Sequence, residues 1–326
     1  MSLDADHIVD RRRMRRKLTF WRVFAFSIVA IGIILLGLAM TSSGGGFGGT
    51  GPYIARITID GLILSDRDRV RALEKLERST SAKAVVVHIN SPGGTTAGSE
   101  QLHDALKRLK AKKPIVVVVD GLAASGGYIA AIAADHIVTQ SSALVGSIGV
   151  LFQYPNFSEL MKTVGVSVES IKSSPLKAAP SPFEPTNPEA RAAVESLVLD
   201  AYAWFRGLVR DNRRLDGAML DRVTDGRVFT GRQALELKLV DELGEEKEAI
   251  AWLAKEKGVD AKLSVRDYDL EPRFRDLPFL HVAAAAALDM VGLTSLARRI
   301  ESWGALRAIE RLNLDGLLAL WHPSTD

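Results

Sequence analysis

Two short runs limit what this chain can fold into more than anything else in it: Ala84-Val85-Val86-Val87-His88-Ile89 and Ile115-Val116-Val117-Val118-Val119. A strand wetted on one side alternates apolar and polar residues. A run without alternation is buried on both faces, as in a parallel sheet covered by helices. The neighbouring segments supply such helices. Ile54 to Ile59 reads as a strand and Val70 to Arg78 as a helix; Gly98 to Leu109 places Leu102, Ala105, Leu106 and Leu109 on one helical face. Tyr128 to Ala134 is a further helix, while Ile137-Val138-Thr139 and Val145 to Val150 add strand-like pieces. The fold class is α/β. With 47% hydrophobic residues in 326, the chain has the material for a large core.

In open parallel sheets ligands gather at the carboxyl ends of the strands, so the turns leaving them carry most weight. Asn90-Ser91-Pro92-Gly93-Gly94 follows one strand and Asp120-Gly121-Leu122-Ala123-Ala124-Ser125-Gly126-Gly127 the next. Both expose backbone amides able to hold an anion, although each also reads as an ordinary glycine turn. Ser125, between small residues at the entry to a helix, has the setting of a nucleophile whose helix N-terminus faces developing negative charge. Ser147, in Val145-Gly146-Ser147-Ile148-Gly149-Val150, is the competing serine.

A serine hydroxyl needs a neighbour to take its proton. His88 lies inside a strand, His103 on a helix, and His136 beside Asp135 at a helix end, where exposure is expected; none has a supporting pattern. Lysine is the other candidate, and it acts as a base only where apolar surroundings lower its pKa. Lys177 lies in the uncharged, proline-stiffened loop Ser174-Pro175-Leu176-Lys177-Ala178-Ala179-Pro180. The six histidines show no metal-ligand spacing and there is no cysteine, so neither a metal nor another cofactor is expected.

The N-terminus reads as a membrane anchor. Residues 23–40 are uncharged, and with Leu18 to Trp21 they approach the ~20 residues that cross a bilayer. The basic run Arg11 to Lys17 belongs on the cytoplasmic side. The expectation is therefore a basic cytoplasmic tail over 1–17, a transmembrane helix over 18–41, and a glycine-rich linker over 42–52. A folded domain over 53–265 then lies outside the cytoplasm, anchored in the inner membrane. A cleaved secretory signal is the rival reading and puts the body in the same place. Residues 1–22 carry a net +4 of the chain's +3, so the body is close to neutral and has no nucleic-acid character.

Five prolines between Pro175 and Pro188 forbid regular structure there, and a long helical period runs from Glu189 to Arg210. Gly226 to Ala234 is a turn into a helix with Thr230 as N-cap, closed by Leu239-Val240-Asp241. Residues 266–326 are expected to form a helical extension that makes an oligomer contact or lies on the membrane.

Taken together, these motifs resemble the signal peptide peptidases of the SppA and SohB type, membrane-bound Ser-Lys peptidases with a ClpP/crotonase-like fold. The likeness runs from about Tyr53 to Gly244. It rests on Asn90-Ser-Pro-Gly-Gly94, Ala124-Ser-Gly-Gly-Tyr128, Val145-Gly-Ser-Ile-Gly-Val150, the Lys177 loop, Asp225-Gly-Arg-Val-Phe-Thr-Gly-Arg-Gln-Ala234 and Leu239-Val-Asp-Glu-Leu-Gly244. The resemblance implies Ser125 as nucleophile and Lys177 as general base. It implies an oxyanion hole from Gly93 or Gly94 with the Gly126 amide, and Ser147 in the site wall, its hydroxyl placed to orient the lysine. It also implies a homo-oligomer in which serine and lysine come from one chain or from neighbours, acting on signal-peptide remnants or other peptides near the membrane. A non-catalytic membrane-anchored peptide-binding scaffold and a crotonase-like acyl-thioester enzyme are the alternatives. One departure stands out: Ser174 occupies the place of the family's glycine three residues before the lysine.

Overall fold

The computed structural model describes residues 51–270, Trp21, and the backbone of 318–320. The expected cytoplasmic tail, transmembrane helix and most of the linker lie outside the described residues. Among those described, no helix is long and apolar enough to cross a membrane.

The alternation of strand and helix is as the sequence pattern requires. β1 (Tyr53–Ile63), α1 (Arg67–Arg78), β2 (Ala82–Thr95), α2 (Thr96–Lys110), β3 (Ile115–Ala124), α3 (Gly126–Ala131), β4 (His136–Thr139) and β5 (Leu144–Gly146) follow in order. Then come α4 (Ser158–Thr163), α5 (Pro188–Arg213), α6 (Gly217–Val223), β6 (Val228–Thr230), α7 (Gly231–Glu236), β7 (Glu242–Leu243), α8 (Glu246–Lys257) and β8 (Ser264–Asp267). A last strand, β9 (Leu318–Leu320), pairs with β2. The main path of the sheet runs β6-β5-β3-β2-β1-β8, with β4 beside β3 and β7 beside β4. Among the described residues, only the β5·β6 and β2·β9 pairs are antiparallel.

The unalternated runs are buried on both faces. Ala55, Ile57, Ile59, Val85, Val87, Ile89, Val117 and Val119 enter the larger core with α1, α2, α3 and α5. Ile54, Ala84, Val86, Val116, Val118 and Val138 face the other way, against Ala249 and Leu253 of α8. On this second face, towards the strand ends, lies a polar cluster that spacing could not reveal. His88 Nδ1 meets Asp120 at 2.8 Å and its Nε2 meets Glu246 at 2.8 Å, while Arg56 grips Glu246 with two nitrogens. Arg56, ahead of the opposing cost of burial, holds the Glu246 carboxyl below its usual range.

Three expectations need correction. His136 does not end a helix in solvent: it is on β4, its side chain 14% exposed, stacked on Trp252 at 4.6 Å and bonded to Glu242. The boundary placed at 265 falls inside β8, which extends the sheet beside β1, and 318–320 are strand rather than helix. The turn expected after Asn90 is instead a continuation of β2 through Pro92-Gly93-Gly94. The strand bends there and shifts register against β1 between Asp60 and Leu62.

Candidate active site at the ends of β2, β3 and β5

Ser125 is the first residue beyond β3, and Ser147 the first beyond β5. Those strands pair in parallel with Ala123 opposite Val145 and Ala124 opposite Gly146, so the two candidate serines leave the sheet side by side. Both turn through left-handed backbone, at φ 52° for Ser125 and φ 50° for Ser147. A non-glycine residue there stores strain of about 1–3 kcal/mol, and neighbours must hold it. For Ser125 they do. Its amide donates to Gly146 O at 2.7 Å, and its carbonyl accepts from the Tyr128 and Ile129 amides at 2.9 and 3.0 Å. The Ser147 amide donates to Arg227 O at 2.8 Å.

Ser125 is 1% exposed, yet its hydroxyl has no close partner within the described residues; the nearest acceptor is Gly149 O, at 3.5 Å. The amides of Gly126 and Gly127 open α3, ahead of the first helical acceptor. α3 has only six residues, so these local amides, more than a long helix dipole, are what a nearby anion would meet.

The Ser91 to Gly94 stretch of β2 lies against the Ser125 turn. A Cβ on Gly127 would sit 2.7 Å from Ser91 O, so only glycine lets α3 approach β2 this closely. Ser91 is buried and braces this stretch of strand: its hydroxyl donates to Gly61 O at 2.6 Å and accepts from the Gly93 amide at 3.1 Å. A Cβ on Gly94 would fall 1.9 Å from Ile63 O, which fixes this strand against β1. Gly93, Gly94, Ser125, Gly126 and Ser147 are thereby gathered at one end of three adjoining strands.

The downstream motif forms the opposite wall. β6 pairs antiparallel with β5, Gly146 opposite Val228 and Val145 opposite Phe229, and Gly226 approaches Gly149. Thr230 caps α7 through a reciprocal capping box with Gln233, as the sequence indicated. Behind the Ser125 turn, Tyr128 is fully buried and donates to Leu239 O at 2.7 Å; burial pushes its phenol above the ordinary tyrosine range. This explains why Leu239-Val-Asp belongs with Ser-Gly-Gly-Tyr.

Among the described residues no hydrogen bond joins Lys177 to Ser125. Lys177 is exposed, and no hydrogen bond or ion pair of its side chain occurs among the described residues. Its loop is nonetheless anchored at its base: Lys172 pairs with Glu184 at 2.5 Å, and the Phe157 amide donates to Pro182 O at 2.7 Å. Ser174 O accepts from the Lys177 amide at 3.1 Å, closing a tight turn. The left-handed residue of this loop is Ala178, at φ 58°, and not Ser174. Serine in place of glycine therefore costs the backbone nothing here. Around the loop, Val168, Ile171, Leu176 and Phe183 are all exposed apolar side chains. His103, by contrast, is a packed core histidine, its Nδ1 2.8 Å from Ile129 O.

The sequence profile of peptidase family S49 matches residues 107–260, the span that holds both serines and Lys177, and that of Clp protease matches residues 65–144. A putative protease of Synechocystis is 38% identical over 209 residues, covering 64% of this chain and 75% of that protein. A putative protease of Methanocaldococcus jannaschii is 35% identical over 202 residues, 62% of this chain and 65% of the relative. Protease 4 of Haemophilus influenzae is 30% identical over 228 residues, with 67% of this chain against 37% of that longer protein. Among solved structures, a ClpP1 mutant from Listeria monocytogenes aligns with a TM-score of 0.40 at 18% identity, over 58% of this chain and 91% of that one.

Proposed function

Because the chain belongs to peptidase family S49, we propose that it is a serine endopeptidase in which Ser125 is the nucleophile and Lys177 the general base. The observation that carries this reading is the setting of Ser125. It is a buried serine in strained left-handed backbone, with its hydroxyl loosely engaged and the first amides of α3 beside it. Nucleophile turns have this form because strain and burial aim one oxygen at the substrate and keep water away.

In the proposed cycle neutral Lys177 accepts the Ser125 hydroxyl proton while Oγ bonds to the peptide carbonyl carbon. The carbonyl oxygen becomes an oxyanion held by the Gly126 amide and by the Gly93-Gly94 turn. Either Gly94 donates, or Gly93 exchanges its Ser91 partner for the oxyanion. Each such donor is worth about 3 kcal/mol in the transition state. Collapse breaks the C–N bond, and Lys177 returns the proton to the leaving amine. Water, deprotonated by the same lysine, then hydrolyses the acyl-enzyme.

Ser147 stands in the wall beside Ser125, placed to orient the lysine. Lys177 must be desolvated to act, and the exposed apolar residues around it support closure of the site against a neighbouring copy in a homo-oligomer. The N-terminal segment anchors the enzyme with its catalytic domain outside the cytoplasm, so its substrates are signal-peptide remnants or other membrane-associated peptides.

A fluorophosphonate probe tests the assignment directly. The expected result is a single adduct on Ser125, and loss of both adduct and peptide cleavage in Ser125→Ala with the thermal unfolding midpoint unchanged. An adduct on Ser147, or full cleavage by Ser125→Ala, would overturn it.

A further inference from the structure

Beyond Ser91 the sheet has an opening, and it is filled. β3 runs beside β2 as far as Ala123, opposite Ser91, then leaves the sheet at Ser125 to become α3. The next residues of β2 keep β1 on one side, Leu62 opposite Gly93 and Ile63 opposite Gly94. Their other edge, where β3 would have continued, would be left with unpaired backbone groups. β9 takes it: Leu318 lies opposite Thr95, Ala319 opposite Gly94 and Leu320 opposite Gly93, antiparallel. The chain thus lays its own backbone in the slot along the Gly93-Gly94 edge, on the side where β3 turns away at Ser125.

We propose that residues 318–320 act as an intramolecular occupant of the acyl side of the substrate slot, so that peptides must displace them to be cleaved. The inference rests on the peptidase reading of Ser125. Direction supports it. Ser91 is level with Ala123, which puts Gly93 level with Ser125, and from Leu318 to Leu320 the occupant runs towards that level from beyond it. A substrate in the same antiparallel register brings the residues preceding its scissile bond along Thr95 and Gly94, and presents the bond itself at Ser125. Pairing by backbone asks little of side chains, so one edge can serve both the chain's Leu-Ala-Leu and an unrelated extended peptide. An occupied slot lowers apparent affinity for any competitor by the fraction of time it is open.

Three forms of the full chain in detergent test this: the parent, Ala319→Pro, and a form lacking residues 318–320. The readouts are the fluorophosphonate labelling rate at Ser125, kcat/KM on an extended fluorogenic peptide, and amide hydrogen exchange at Gly93 to Thr95. Both variants are expected to label and cleave about tenfold faster, through KM more than kcat, and to exchange faster at those amides. A synthetic peptide of residues 315–323 is expected to inhibit the shortened form competitively. Unchanged labelling and cleavage in both variants, with Ser125 reactive in the parent, would overturn the proposal. If no form labels or cleaves, the peptidase reading fails instead. Hydrogen exchange then decides the occupancy alone, and equal exchange in all three forms overturns it.

Discussion

At the scale of single residues, the site depends on what two positions cannot accommodate. Gly127 admits no Cβ because Ser91 O lies 2.7 Å from where it would be. Gly127→Ala is therefore expected to push α3 away from β2, lowering stability by about 1–3 kcal/mol and suppressing peptide cleavage well beyond that. Denaturant unfolding and a peptidase assay on the same sample check both parts. His103 makes a different demand. Its Nδ1 reaches Ile129 O, while its Nε2 is buried without a partner among the described residues, and burial lowers its pKa from the ordinary 6.5. The unfolded chain accepts a proton on this ring near pH 6.5, where the folded chain does not. Stability must then fall as pH drops below about 6.5, by up to about 1.4 kcal/mol per pH unit for this one group. Urea unfolding at pH 7.5 and 5.5 is expected to show a smaller loss in His103→Leu than in the parent.

At the scale of elements, the agreement between sequence and structure is closest where local chemistry decides. Thr230 caps α7 because a hydroxyl at that position can take the Gln233 amide, and Gln233 returns the bond. Thr230→Ala is expected to cost about 1 kcal/mol in denaturant unfolding, while Thr230→Ser keeps most of the stability. Pro188, the last proline of the loop, opens α5 at a position where a missing N–H is harmless. The path of β2 past Asn90 was not legible. Proline and two glycines in succession signal a turn, and the segment remains a strand only because β1 and β9 both pair with it. His136 was misplaced for the same kind of reason, since its burial comes from Trp252 and Glu242, over a hundred positions along the chain.

At the scale of the whole molecule, the proposed dyad needs its lysine brought to the serine. Lys177 is exposed in the single chain, with apolar side chains around it, and Ser125 is buried without it. If the dyad closes between copies, mixing two inactive variants, Ser125→Ala and Lys177→Ala, regenerates sites that take the serine from one and the lysine from the other. Random assembly in a closed ring gives about a quarter of the parent activity per site. The check is peptidase activity after denaturing, mixing and refolding the two variants together; no recovery would place serine and lysine in one chain.

By itself the sequence determined the α/β class, because unalternated β-branched runs have no stable place except between two layers of helices. It also marked the two glycine pairs that follow such runs, because small residues there let neighbouring backbone approach closely. Tertiary structure alone decided that Ser125 and Ser147 stand side by side, that Gly127 rests on Ser91, and that residues 318–320 lie along Gly93 to Thr95. Periodicity and propensity act over a few neighbouring residues; these contacts join positions from 22 to more than 200 apart, and only the sheet register brings them together.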